Sequence, residues 1–215
     1  MADQLPERVA ELEDEDDIDL TNVIVTGDFT GRELHRPEFR SCHFEGAVFT
    51  GSVLRQARFV DCMLTACELS GALLEDCSMT RVELRSCRAS GLQIPAGRLT
   101  DVGIFDSKVD GANFRMSVWE RAELLDNDLA EGDFQSAQLP GSRILRCDLT
   151  RAEMSKCHLA GGWLNGSILD DMRGGDCLHD VTIGSDQLIP AALAVLAARK
   201  VTVDDDVQIT PDSRQ

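Results

Sequence analysis

Eight cysteines and four histidines could give this 215-residue chain a metal centre, a set of disulfides or a nucleophile. Zinc and redox sites bring such residues together at short spacings such as C-x-x-C, and that spacing does not occur here. The cysteines are instead separated by five residues or multiples of five, which predicts buried, reduced, structural thiols. The histidines have no ligand spacing and are expected on the surface. These residues are Cys42, Cys62, Cys67, Cys77, Cys87, Cys147, Cys157 and Cys177, and His35, His43, His158 and His179.

Carboxylates are the other abundant functional group, and they are densest between Trp119 and Phe134, where Arg121 is the one opposing base. Such a run is either a solvated acidic surface or a patch that binds a basic groove. For the second interpretation, the candidate partner-binding residues are Glu120, Glu123, Asp126, Asp128, Glu131, Asp133 and Asp148.

Several sequence features argue against enzymatic activity, nucleic-acid binding and membrane insertion. No phosphate-binding glycine loop, GxSxG or HExxH motif is present, so we expect no enzymatic activity, cofactor or metal. With 38 acidic and 21 basic side chains, a net charge of −17 argues against direct binding of nucleic acid. The N-terminus lacks a basic and apolar leader, and no run of eighteen apolar residues occurs, so we expect a cytoplasmic protein without a membrane span.

An apolar residue at every fifth position organises most of the chain. From Ile24 to Leu169, thirty consecutive steps of five reach an apolar side chain each time. A second column two residues earlier consists mainly of Ala, Cys, Ser, Gly and Val. Neither a helix nor a flat strand keeps residues five apart on one side, so the chain must turn a corner every five residues.

Four such sides close a square coil of twenty residues, and residues n and n+20 then stack about 4.8 Å apart. The larger column fills the interior, and the smaller one lies where the walls approach closely. A glycine column fits one corner, where a positive φ favours glycine. It consists of Gly31, Gly51, Gly71, Gly91 and Gly111.

The short motifs Ala112-Asn113-Phe114, Gly132-Asp133-Phe134 and Cys147-Asp148-Leu149 resemble the repeat of the pentapeptide-repeat proteins. This resemblance implies an all-β solenoid, a right-handed quadrilateral β-helix of about seven and a half coils. We expect an acidic N-terminal segment at 1–21, the β-helix at 22–171 and a C-terminal cap at 172–215. The acidic segment is interpreted as solubilising or disordered, with contact to a partner as the alternative.

Residues 186–199 are predicted to form a helix, with Ser185 or Asp186 as N-cap, Pro190 in the first turn and basic residues at its end. It is apolar nearly all round. We expect it to cap the open end of the solenoid and also to form a homodimer, with capping alone as the alternative. The dimer and cap residues are Leu188, Ile189, Leu193 and Leu196.

An outward apolar ladder is formed by Phe105, Leu125 and Leu145, on the same side as Trp163 and as Val23 and Val25. An exposed apolar strip of this kind is expected to be buried by another segment or another molecule. The N-terminal segment is the expected cover, and another molecule is the alternative.

Within the family, the acidic rod, the uninterrupted coils and the C-terminal helix that starts near Asp186-Gln187 resemble the MfpA and Qnr subgroup. This resemblance implies a DNA-mimicking protein that binds DNA gyrase or another type II topoisomerase, modulates it and confers fluoroquinolone resistance. The loops that project from Qnr rods have no counterpart here, so the resemblance implies gyrase binding more directly than drug protection. The competing hypothesis is a passive scaffold that holds an unrelated protein.

Overall fold

A computed structural model describes residues 7–11 and 18–202 of the chain. The protein is a right-handed quadrilateral β-helix of about seven coils, closed at its C-terminal end by one α-helix. The predicted fold class is therefore confirmed.

The strands are short because each side of the square holds only five residues. Longer strands include two adjacent sides and the left-handed corner residue between them, as in β8, β10 and β11. The strands are β1 Glu7–Val9, β2 Asp19–Thr21, β3 Val23–Val25, β4 Glu33–His35, β5 Glu38–Arg40, β6 His43–Glu45, β7 Val53–Arg55, β8 Arg58–Thr65, β9 Leu73–Glu75, β10 Ser78–Arg85, β11 Arg98–Phe105, β12 Val118–Glu120, β13 Glu123–Leu125 and β14 Arg143–Leu145.

Parallel pairing at an offset of twenty residues holds successive coils together. Glu33 lies beside Val53, and Arg58 lies beside Ser78. The same offset defines four walls, each centred on one column of buried core residues. Wall 1 is centred on residues 29, 49, 69, 89, 109, 129, 149 and 169; wall 2 on 34, 54, 74, 94, 114, 134 and 154; wall 3 on 39, 59, 79, 99, 119, 139 and 159; and wall 4 on 44, 64, 84, 104, 124, 144 and 164.

Left-handed backbone turns the chain at the corners. The predicted glycine column has φ near 60°, as at Gly31 with 65°. Glycine is not required there, however, because Glu131 and Arg151 continue the same column with φ of 59° and 57°. These corner residues point outward, so their charged side chains remain available to the surface.

A buried polar column accompanies the apolar core at the corner between walls 4 and 1. The Ser107 backbone N–H donates to Asn127 Oδ1 at 2.9 Å, and Asn127 Nδ2 donates to the Ile104 carbonyl at 2.7 Å. Farther along, the Cys147 N–H donates to Ser167 Oγ at 3.0 Å. These side chains satisfy backbone groups inside the rod that would otherwise be costly to bury.

The first coil departs from the expected register. Val25 is fully buried and lies beside Phe44, an offset of nineteen, whereas Ile24 is only half-buried. The prediction of Ile24 as a core residue is therefore wrong. Near Gly27 (φ 114°) the chain passes so close to Ala10 that a Cβ at this position would lie 2.1 Å from the Ala10 carbonyl oxygen. Ala10 directly follows strand β1, which stacks on β3 and closes the N-terminal end.

At the C-terminal end, 3₁₀ turns at Gly175–Leu178 and Ser185–Gln187 lead into helix α1, Leu188–Ala198. The predicted helix is present, but neither Ser185 nor Asp186 is its N-cap. Gln187 holds that position, and its side chain serves the rod: Nε2 donates to the carbonyls of Leu164 and Ser167 at 2.7 and 2.6 Å. Gln187 thus replaces hydrogen bonds that a further coil would have made.

Candidate interaction surfaces

Arginine and carboxylate side chains alternate along several outward columns of the rod. Arg146 and Asp126, at one corner, form two hydrogen bonds of 2.6 Å. At another corner, Arg81 binds Asp61, and Arg121 binds Asp101. These hydrogen bonds hold the pKa values of Asp61, Asp101 and Asp126 below the usual aspartate value, since they stabilise the charged form.

The predicted acidic patch is distributed around the rod. Because one coil contains twenty residues, sequence neighbours within it lie on different walls: Glu120 is on wall 3, Glu123 on wall 4 and Asp133 on wall 2. Asp128 and Asp148, both on wall 1, are stacked side by side. The other carboxylates each face an arginine: Glu120 faces Arg121, Glu123 faces Arg143, Asp126 faces Arg146, Glu131 faces Arg151 and Asp133 faces Arg115.

Wall 1 has the largest excess of acid among the four walls. Its outward and corner positions from 28 to 171 hold eight acids and three bases, whereas wall 3 with its corner holds four acids and five bases. Lys108 is the base nearest the central acids, at 3.7 Å from both Asp110 and Asp128. The acids are Asp28, Glu68, Asp110, Asp128, Glu131, Asp148, Asp170 and Asp171.

Backbone hydrogen bonds hold several wall 1 carboxylates in place. Asp148 Oδ1 accepts from the Thr150 N–H at 2.8 Å, and Asp128 Oδ1 accepts from the Ala130 N–H at 3.2 Å. Asp28 makes the same contact with Thr30, and hydrogen bonds from that residue lower the Asp28 pKa. These hydrogen bonds hold the carboxylates in place before any partner binds.

Wall 4 presents a different surface, the apolar strip of Phe105, Leu125, Leu145 and Trp163. The first three are half-buried and stack in register, and Trp163 is 42% exposed on the next coil. Val23 and Val25 do not continue this strip, so that part of the prediction is wrong: in the shifted first coil Val25 is fully buried and Val23 packs against the core. Strand β1 of the N-terminal segment pairs edge to edge with β3 at the end of the rod. Residues 12–17 lie outside the described part of the chain, so cover of the strip by this segment stays a prediction.

Helix α1 packs on the rod through Ala191 and Ala194, which are buried. The predicted dimer and cap residues Leu188, Ile189, Leu193 and Leu196 lie mostly outside this contact and are between 38% and 75% exposed. An apolar groove beside them is lined by Leu178, Val181, Ile183, Leu188, Val195 and Leu196. The helix therefore caps the rod with its small residues and presents its large apolar residues to solvent.

The eight cysteines are buried and free, as predicted. Burial raises the pKa of Cys147 to about 11 and that of Cys77 and Cys177 to about 12, so these thiols are protonated at neutral pH. Across residues 7–11 and 18–202, no group of three or more His, Cys, Asp or Glu side chains is placed to hold a metal. No helix in the same ranges is long and apolar enough to cross a membrane.

Family models for a pentapeptide repeat region and for pentapeptide repeats match residues 37–114 and 133–171. The chain belongs to the pentapeptide-repeat proteins. Among solved structures, trypsin-treated QnrB1, a plasmid-mediated fluoroquinolone resistance protein, matches with a TM-score of 0.55 at 22% identity, covering 92% of this chain and 97% of that one. HetL, from the cyanobacterium Nostoc and involved in heterocyst differentiation regulation, matches with a TM-score of 0.28 at 18% identity, over 80% and 90% of the two chains. No curated protein sequence matches this chain significantly.

As a pentapeptide-repeat protein, the chain specifies its interior by the repeat and its surface by the remaining positions. The candidate partner-binding residues chosen from charge density along the sequence leave out Asp110 and Asp170 of wall 1, and the ion pairs were not predicted. The signal that finds them is the spacing of twenty residues, which places Asp126 beside Arg146 and Glu123 beside Arg143. A high density of charge along the sequence does not identify a surface patch in a β-helix, because sequence neighbours lie on different walls.

Proposed function

We propose that this protein is a non-enzymatic rod that binds DNA gyrase or a related type II topoisomerase in place of duplex DNA and modulates its activity. The observation that supports the proposal most is the acid excess of wall 1, where eight outward acids oppose three bases and backbone N–H groups hold Asp28, Asp128 and Asp148 in place. A groove built for duplex DNA is basic, so it attracts a rigid anionic rod by the same electrostatics.

The comparison with QnrB1 adds support of a different kind. QnrB1 is a fluoroquinolone resistance protein, and its fold aligns with nearly the whole of this chain. Fluoroquinolone resistance is the cellular consequence that we propose for topoisomerase binding here.

We also propose that two copies associate through helix α1. Leu188, Ile189 and Leu193 are each at least 60% exposed at the end of the rod, and burying such side chains is worth roughly 1.5–3 kcal/mol each. Two rods joined at this end would double the length of acidic surface. Sedimentation of the wild type and of an L188E/L193E variant tests this part separately.

The net charge of wall 1 also determines how tightly we expect the protein to bind a DNA-binding groove. Eight acids and three bases give a net charge of −5 over about 34 Å of rod, whereas duplex DNA of that length carries about 20 charges. The protein should therefore bind a DNA groove less tightly than DNA does. Inhibition is expected in the micromolar range and should weaken steeply as salt rises.

Titration of this protein into a supercoiling reaction with purified DNA gyrase and relaxed plasmid tests the proposal. We expect inhibition that extra plasmid relieves, since DNA and protein compete for one groove. Full gyrase activity at tens of micromolar protein would overturn it.

A passive scaffold for an unrelated protein is the second candidate, and the ion pairs favour it. Outside wall 1 most carboxylates face an arginine, which leaves those walls nearly neutral. Capture of a protein other than a topoisomerase, unaffected by competing DNA, would support this candidate.

A further inference from the structure

We propose that the apolar strip on wall 4 docks a basic amphipathic α-helix from another protein. This inference goes beyond topoisomerase binding and does not depend on it, because the strip lies on wall 4 and shares only the border residue Asp148 with the acids of wall 1.

The shape of the strip fits a helix. Phe105, Leu125 and Leu145 stack in register on three successive coils. Trp163, on the fourth coil, stacks on Arg143 and therefore lies two residues to the side of this column. The coils are about 4.8 Å apart, and one turn of an α-helix rises about 5.4 Å. A helix that lies along the rod therefore places one apolar side chain over each of the three coils, with an accumulated mismatch of about 1 Å over two steps, and its next turn lies beside Trp163.

The surface at the Phe105 end of the strip is flat, since the ring lies against the backbone. A Cβ at Gly103 would lie 2.4 Å from the Phe105 ring, so this ring lies over the backbone of its own strand. The Arg85 guanidinium stacks on the ring at 4.3 Å from its centroid and ends the strip on that side. A partner helix can therefore contact the ring and the two leucines together.

The charges that border the strip determine whether the partner should be acidic or basic. The nearby bases already face carboxylates: Arg143 faces Glu123 and Arg146 faces Asp126, both at 2.6 Å. Asp106 and Asp148, toward wall 1, have no ion pair within 4 Å among the described residues. The unbalanced charge along the strip is therefore negative, and lysine or arginine on the partner would complement it.

The same charges argue against the chain's own terminal segments and against a second copy as the occupant. Residues 13–17 are all acidic, and residues 204–206 are three aspartates. A second copy would bring the same acidic border. Both would place like charges together, whereas a basic helix would not.

A labelled 18-residue peptide of leucine and lysine, with leucines at helical spacing, tests the proposal with the full-length protein. The control is a peptide of identical composition in scrambled order. We expect the helical peptide to bind at least tenfold more tightly and to shift the emission of Trp163, which is exposed, whereas Trp119 is buried. Equal binding of the two peptides would show attraction by net charge alone and would overturn the proposal.

Variants locate the binding surface. L125Q/L145Q should weaken binding of the helical peptide at least tenfold, and W163Q, at an exposed position, gives a second test if the double variant folds poorly. M116Q/V118Q, which changes exposed apolar residues on other parts of the rod, should stay within twofold of wild type. D106N/D148N should weaken binding about threefold and reduce its salt dependence. Unchanged binding by a folded L125Q/L145Q or W163Q protein would place the peptide elsewhere and refute the proposal.

Discussion

Walls 1 and 4 share one backbone, one repeat and one core, yet they present opposite chemistry. Beneath wall 1 lies Leu149, and beneath wall 4 lies Leu124; both are fully buried. On the outside, wall 1 has stacked aspartates held by backbone N–H groups, whereas wall 4 has stacked apolar residues flanked by ion pairs. The interior therefore specifies only the rod, and the outward columns specify what each side of it can bind.

The largest expected loss of stability comes from substitutions in the core, which is alike beneath the two walls. Leu124→Ala and Leu149→Ala each remove a fully buried side chain from a continuous core, so each should lower the free energy of unfolding by about 2–5 kcal/mol. Chemical denaturation of both variants measures this loss. Leu125→Gln, one residue from Leu124 but on the surface, is the control and should cost far less. A clear difference between the two core variants would contradict the equivalence of the walls.

The next largest loss of stability is expected at the corner where walls 4 and 1 meet. Asn127→Ala leaves the Ser107 N–H and the Ile104 carbonyl without their side-chain partner, which should cost about 1–3 kcal/mol. Asn127→Ser should recover part of this loss, since Ser107 and Ser167 make equivalent contacts in the same column. Thermal denaturation compares the three proteins. Equal stability of the Ala and Ser variants would show that these hydrogen bonds do not matter.

Charge-reversal variants test which wall is responsible for inhibition of gyrase. D128K/D148K on wall 1 should raise the concentration for half-inhibition of gyrase at least tenfold, because it replaces two stacked acids at the centre of the column. E38K/E120K on wall 3 makes the same change in net charge and should have a much smaller effect. If both variants lose inhibition equally, net charge rather than wall 1 is responsible. E123K/D126K/D128K/E131K, chosen by sequence density alone, should weaken inhibition mainly through Asp128 and Glu131, the two of its positions that lie on wall 1.

The smallest effect concerns pH. The pKa of Asp126 is lowered by its hydrogen bonds to Arg146, so the folded state binds this proton less readily than the unfolded chain does. The ion pair therefore stabilises the fold fully above the unfolded carboxyl pKa of about 3.9 and loses this contribution as pH falls through the lower folded value. The melting temperature of Asp126→Asn should approach that of wild type as pH drops from 6 to 3. A gap that widens toward low pH would contradict this assignment.

The sequence was sufficient for the coil, the core columns and helix α1, because a period of five repeated thirty times has few structural solutions. It failed where one residue changes the register: nothing in the pattern indicates that Val25 replaces Ile24. The offset changes from nineteen at Val25 to twenty at Asp28, on either side of Gly27 with its φ of 114°. It also failed at Gln187, whose side chain hydrogen-bonds to the rod rather than within its own helix.

The surface was harder to predict for a geometric reason. Glu120 and Glu123 are close in sequence but lie on different walls, whereas Asp128 and Asp148 are twenty residues apart and adjacent in space. Local charge density therefore predicted a patch that the coil divides among four walls. The apolar strip, in contrast, was predicted, because Phe105, Leu125 and Leu145 were compared at a spacing of twenty residues, and the same spacing gives the acid excess of wall 1.

The most direct test of the central claim is competition between this protein and a labelled DNA duplex for purified gyrase. We predict that rising protein concentration returns the fluorescence anisotropy of the duplex to its free value, and that D128K/D148K does so only at concentrations at least tenfold higher. A duplex that stays bound while the protein also binds gyrase, or a duplex that the protein never displaces, would contradict the account.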